Sequence, residues 1–154
     1  MSQNLRRILP DCNLPATSFR DIVVLQQARF SLLEAAPHIE QEKHRLRETF
    51  IRFGLEVTSR LRKQQFFADV IDPRSGYPLL SRSGETIHND TAAVKALLGF
   101  PVITNRCSVL VHPGWGTAVY PGILLTSAAS QVITPALRSA AYQQGWRTPA
   151  IQLD

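Results

Sequence analysis

The chemistry open to this chain rests on two thiols and four imidazoles: Cys12, Cys107, His38, His44, His88 and His112. A thiolate beside an imidazole can act as a nucleophile, and both are metal ligands. Cys107 and His112 are five positions apart. On a strand of period two they face opposite ways, so a dyad needs a bulge or a histidine already turned into a loop. Cys107 also shares its strand face with Val109 and Val111, which reads as core. His38 and His44, six apart on a helix, lie about 120° around its axis and do not share a face. No His-Glu-x-x-His, Cys-x-x-Cys or carboxylate-rich loop occurs, so no zinc is expected.

Carboxylates and glycines complete the set. Asp72 opens the turn Asp72-Pro73-Arg74-Ser75-Gly76, a structural task. Asp69 lies inside an apolar segment, where it can cap, pair with Arg74 or line a pocket. Neither a dinucleotide fingerprint nor a phosphate-binding loop is present. Gly114 and Gly116 flank Trp115 in a loop and permit unusual backbone angles or close approach to a partner. That tryptophan is either a contact residue or a side chain folded back over the sheet.

The elements that must position these residues follow from periodicity. Ile39, Leu46, Phe50, Phe53, Val57 and Leu61 mark one face of a helix over 38–64, with Gly54 as a tolerated cost. Ile22–Leu25 and Phe66–Ile71 read as strands. Asn89 or Asp90 caps a short helix that Gly99 ends. Cys107–Val111 and Thr117–Thr126 read as an antiparallel hairpin joined by His112-Pro113-Gly114-Trp115-Gly116. Thr134-Pro135 reads as the start of a last helix, with Gly145 as its stop. The expected organisation is an irregular lead-in over 1–18, one α+β domain over 19–145 and a loose tail over 146–154. The sheet is expected to be mostly antiparallel, with flanking helices.

The chain has 154 residues, a length near that of one domain. It carries 17 Lys and Arg against 12 Asp and Glu, a net charge of +5. The surplus is spread: residues 1–77 hold 12 basic and 9 acidic groups, residues 78–154 only 5 and 3. The one cluster, Arg52, Arg60, Arg62 and Lys63, sits at a helix C-terminus, where the dipole favours cations. No nucleic-acid reading module accompanies it, so no nucleic-acid partner is expected. Two cysteines exclude a disulfide scaffold. The N-terminus shows no secretory signal. The apolar stretch 118–129 is broken by Pro121 and Gly122, well short of the ~20 residues that cross a bilayer, so no membrane partner is expected. A cytoplasmic location is the resulting expectation.

Two blocks carry a resemblance. One is Phe67-Ala68-Asp69-Val70-Ile71-Asp72-Pro73-Arg74-Ser75-Gly76. The other runs from Cys107 through His112-Pro113-Gly114-Trp115-Gly116-Thr117 to Gly122 and Thr126, with Leu98-Gly99-Phe100 between them. In this order they resemble the C-terminal domain of the methylmalonic aciduria and homocystinuria type D (CblD) family of cobalamin-trafficking proteins, over roughly residues 20–140. The resemblance implies a nitroreductase-like fold without flavin, no enzymatic activity, and an adaptor role in vitamin B12 handling. It implies a CblC-type partner, which strips the upper ligand from cobalamin, and contact with cobalamin only transiently, through that partner. It also implies cobalt ligation by a thiolate, a soft ligand suited to the task. The family carries two adjacent cysteines before this strand, the first being the ligand candidate. Here Arg106 stands at the first position and Cys107 matches the second.

On that basis Cys107, Arg106 and His112 are the expected cobalamin-facing residues, with Cys107 as the candidate cobalt ligand. Trp115, Gly114, Gly116 and Asp69 are expected to contact the partner. A homodimer is a further expectation. The competing readings are a nitroreductase-like or thiol-dependent enzyme using Cys107, and an interaction module that has lost cobalt ligation.

Overall fold

The computed structural model describes residues 5–15, 18–104 and 107–146. Nine elements follow in order: α1 (Leu5–Ile8), β1 (Arg20–Gln27), α2 (Pro37–Lys63), β2 (Ala68–Ile71), α3 (Asp90–Leu98), β3 (Val102–Thr104), β4 (Ser108–Leu110), β5 (Val119–Thr126) and α4 (Ser130–Gln143). The class is α+β, as expected. A three-stranded antiparallel sheet in the order β1-β5-β2 forms the centre, and β3 and β4 make a separate antiparallel ribbon.

The central strand explains the layering. β5 is almost continuously apolar and has buried side chains on both faces, the pattern of a strand covered on two sides. One face packs Ile22, Val24, Val70 and Leu124 against Phe50, Phe53, Val57 and Leu61 of α2 and Ile133, Ala136, Leu137 and Ala140 of α4. On the other face, Ile71, Val119, Ile123 and Leu125 meet Leu5, Ile8 and Leu9 around α1, Val94 of α3 and Leu110 of β4. Pro121 is tolerated in this central strand because of its register. Ala28 donates to the Ala118 carbonyl, so even positions of β5 bond β1 and odd positions face β2. The β2 ladder ends at Ile71 opposite Ile123, and Pro121, next on that side, owes the β2 ladder no N–H.

The long helix rests closer on the sheet than its apolar stripe requires. Every residue of the predicted stripe is buried. A Cβ at Gly54 would lie 2.9 Å from Leu124 Cδ2 and 3.0 Å from Val70 Cγ2. A Cβ at Gly122 would lie 2.5 Å from Phe50 Cε2. The two glycines therefore set the helix–sheet spacing, which helix propensity alone does not register. At the far end of α2 the basic cluster is partly engaged. Arg60 Nε donates to Glu56 at 2.8 Å and Arg62 Nε to the Ala68 carbonyl at 2.8 Å.

The structure corrects four expectations. The lead-in is not irregular throughout, since α1 and Leu9 bury Leu5, Ile8 and Leu9 in the second core. The hairpin does not form. β4 pairs with β3, β5 pairs with β1 and β2, and only an isolated His112–Gly116 bridge joins the two runs. Helix α4 starts at Ser130, which leaves Pro135 inside it. The apolar face containing Ile133 draws the start back by more than a turn, and burial of Ile133, Ala136 and Leu137 offsets the lost hydrogen bond. Finally, Trp146 is not loose. Its ring stacks on Phe53 with centroids 4.4 Å apart and 17° between planes, and its backbone N–H donates to the Ala141 carbonyl.

Candidate functional site

Cys107 immediately precedes β4, and its thiol is free and exposed. It is therefore not the core residue that strand periodicity suggests. Arg106 lies outside the described residues. Two residues past β4 the chain enters a closed loop: the His112 N–H donates to the Gly116 carbonyl at 2.8 Å, and the Gly116 N–H returns to His112 at 2.9 Å. Gly116 has φ +58°, the left-handed conformation that closes the loop at little cost for glycine. The loop is tied to the segment before α2. Leu32 N–H donates to the Thr117 carbonyl at 3.1 Å, and the Ser31 and Thr117 hydroxyls are 2.6 Å apart.

Two rings of the loop and Phe100, from the segment before β3, form a wall. His112 stacks on Trp115, with centroids 4.2 Å apart and 14° between planes, and meets Phe100 edge-on at 5.4 Å. His112 Nδ1 accepts the N–H of Gly114 at 3.0 Å and of Trp115 at 3.1 Å. Its proton therefore sits on Nε2, and its one free lone pair is engaged. In this arrangement the ring has no nitrogen with which to take the Cys107 proton or to bind a metal. Trp115 is half-buried: it packs against the second core and leaves part of its surface exposed. Gly114 is exposed beside it. Phe100 is the wall residue that motif searching did not assign, although Leu98-Gly99-Phe100 had marked its place. Gly99, at φ +70°, ends α3 and turns the chain toward the loop.

Asp69 lies in the interior of the fold. It is 0% exposed, and its Oδ1 accepts the N–H groups of Val70 at 2.7 Å and Leu80 at 2.9 Å. It thereby holds segment 77–80 along β2, where Leu79 N–H also donates to the Val70 carbonyl. Asp72 keeps its turn role, accepting Arg74 N–H at 3.0 Å, and gains a bidentate ion pair with Arg47 at 2.8 and 2.7 Å. The hydrogen bonds from that guanidinium hold the Asp72 carboxyl below its usual range against the opposing effect of burial.

A second polar group, not anticipated from sequence, lies around α3. His88 Nδ1 and Asp90 Oδ1 are 2.9 Å apart and both side chains are buried. Burial raises the carboxyl of Asp90 and that of Asp21. The His-x-Asp spacing across a helix cap was its only sequence signal. Among the described residues no group of three or more His, Cys, Asp or Glu side chains could hold a metal ion. A hollow of about 250 Å³ near Cys12, lined also by Leu9, Leu14 and Phe67, is smaller than the roughly 300–1,000 Å³ of small-molecule sites. No helix among the described residues is long and apolar enough to cross a membrane.

The described residues thus give an exposed thiol at one end of the β3–β4 ribbon and an aromatic cluster at the other, and His112 is not placed as a base for the thiol. Comparison with known proteins decides the lineage. The family model described as methylmalonic aciduria and homocystinuria type D protein matches residues 1–136. The chain belongs to that family. The cobalamin trafficking protein CblD of Rattus norvegicus is 30% identical over 110 residues, covering 71% of this chain and 37% of the rat protein. The human protein of that name is 31% identical over 108 residues, covering 70% and 36%. That of Gallus gallus is 26% identical over 129 residues, covering 83% and 43%. The chain therefore spans less than half the length of these relatives.

Proposed function

We propose that this chain is a non-enzymatic adaptor in intracellular cobalamin trafficking, acting in the cytoplasm with a CblC-type cobalamin-processing partner. Membership of the family supports the pathway. The single observation that carries the mechanism is the exposed Cys107 thiol without a base. An exposed thiol can reach a cobalt ion held by another protein, whereas catalysis by the same thiol would need an imidazole that His112 does not offer. Cobalamin is cargo here. The Cys107 thiol loses its proton to solvent, and its thiolate takes the upper coordination position of cobalt, displacing water. The half-buried Phe100–His112–Trp115 cluster, with Gly114 and Gly116, gives the partner a second contact at the other end of the ribbon from that thiol. Arg106, which precedes Cys107 in the sequence, carries a positive charge. The nitroreductase-like, flavin-free architecture remains part of this reading through the family resemblance.

The test is co-elution of the chain with a CblC-type protein and cobalamin under reducing conditions. A stoichiometric complex is the expected result. Absence of any complex contradicts the reading, as would a yellow flavin-bearing preparation with turnover.

A further inference from the structure

His112 holds its loop by more than ring stacking. Its Nδ1 accepts the N–H groups of both Gly114 and Trp115, at 3.0 and 3.1 Å. This is the bonding of an Asx turn, in which a side-chain oxygen of Asn or Asp holds the backbone two residues on. Here an imidazole nitrogen takes that place, ahead of Pro113-Gly114. The difference is chemical. A carboxamide oxygen accepts at every pH, whereas Nδ1 accepts only while it carries no proton. The residue is half-buried, so its ring can exchange protons with solvent without unfolding of the chain.

We propose that His112 is a pH-sensitive lock on the 112–116 loop, closed while Nδ1 is bare and released when Nδ1 takes a proton. Protonation turns the acceptor into a donor. An N–H then faces two N–H groups, and both bonds are lost together. The contacts that depend on them are the stack of His112 on Trp115, at 4.2 Å, and the packing of Trp115 on the second core. The open loop binds one proton more at His112 than the closed loop, so falling pH favours opening. The indole face of Trp115 attracts a cation and opposes this, but it is one contact against two hydrogen bonds. The ring meets Phe100, Trp115 and the Gly114 backbone, none of which titrates in the histidine range. The charged groups on neighbouring elements are Lys95 of α3 and, in the segment tied to Thr117, Arg29 and Glu34. Among the described residues none of these bonds or pairs with the imidazole, and Asp90 sits at the opposite end of α3, beside His88.

The lock belongs to the chain alone and does not rest on the cobalamin reading. Its consequence for that reading is an aromatic contact formed at neutral pH and withdrawn in acid. The test is nitrogen-15 NMR of the full chain between about pH 8 and about pH 5, the window in which histidines gain charge. At the upper limit the imidazole should carry its proton on Nε2, and the Gly114 and Trp115 amides should be protected from exchange. An unconstrained histidine gains its proton near about pH 6.5. At the acid limit the opening of those two amides, corrected for the intrinsic pH dependence of exchange, should therefore rise about tenfold or more, in step with protonation of His112. His112→Asn keeps an acceptor in place that does not titrate, and its loop should stay closed across the range. His112→Phe has no acceptor and should show fast exchange at both limits. A proton on Nδ1 at the upper limit, amides that stay protected once His112 is protonated, or the same acid opening in His112→Asn overturns the proposal.

Discussion

The α2–sheet contact and the β3–β4 ribbon are built to different tolerances. Where α2 crosses the sheet, Gly54 and Gly122 let backbone and ring approach until a single added carbon has no room. Across the molecule, the β3–β4 ribbon has three residues in each strand, and Ile103 and Cys107 face solvent. A two-stranded ribbon is marginal by itself and is held here by packing onto α3 and the second core. The close-packed side supplies stability. The thin side supplies accessible groups: a thiol and an aromatic wall.

This contrast is broken most severely at Gly122. Gly122→Ala pushes a methyl group into the buried Phe50 ring and should cost about 3 kcal/mol, as overpacking of a tight core does. Gly114→Ala should cost less than about 0.5 kcal/mol, because a Cβ there meets only the His112 ring at 3.7 Å. Urea unfolding of both variants measures the difference. Equal costs would refute the division into two tolerances.

The legible parts of the sequence were those set by local physics. The α2 stripe, the Asn89 cap, whose side chain accepts Ala92 N–H, and the Gly99 stop depend on neighbours within a turn or two. The strand pairing was illegible because sequence adjacency favours joining 107–111 to 117–126, whereas burial of β5 on both faces requires partners nearly 100 residues away in β1. Cys107 was hidden for the same reason. Period two predicted an inward thiol, but the position precedes the first paired residue of β4. His112 was identified as a functional candidate by motif, yet the fate of its Nδ1 depends on the loop closed by Gly116.

The ion pair between α2 and the Asp72 turn comes next in size. Arg47→Met should destabilise the fold by about 2 kcal/mol, because it leaves Asp72 largely buried without its cation. Asp72 is held low in the folded state, so its contribution is present above the unfolded carboxylate range, near pH 4, and is lost as pH falls through the lower folded value. Asp21 and Asp90 are raised by burial, so their contribution has the opposite sign. It is present below about pH 4 and fades as pH rises through their folded values. Stability curves of Arg47→Met and Asp21→Asn should therefore diverge. The first should lose the acid-side fall, and the second should decline less between acid and neutral pH. Parallel curves would show that these carboxyls do not govern the pH response.

Smaller still is Trp146→Ala, which removes the stack on Phe53 and should cost about 1–2 kcal/mol by thermal unfolding. No change in Tm would mean that the segment after α4 is not part of the core.

The smallest effect on stability belongs to the residue with the largest expected effect on function. Cys107→Ser should alter stability by less than about 0.5 kcal/mol, since the side chain is exposed. The decisive measurement is the absorption spectrum of cobalamin in the presence of the CblC-type partner and either the wild-type chain or Cys107→Ser. A cobalt–thiolate band with the wild-type chain that disappears in the serine variant, while the two proteins still co-elute, is the predicted result. An unchanged band in Cys107→Ser, or no band with either chain, would contradict the assignment of Cys107 to cobalt.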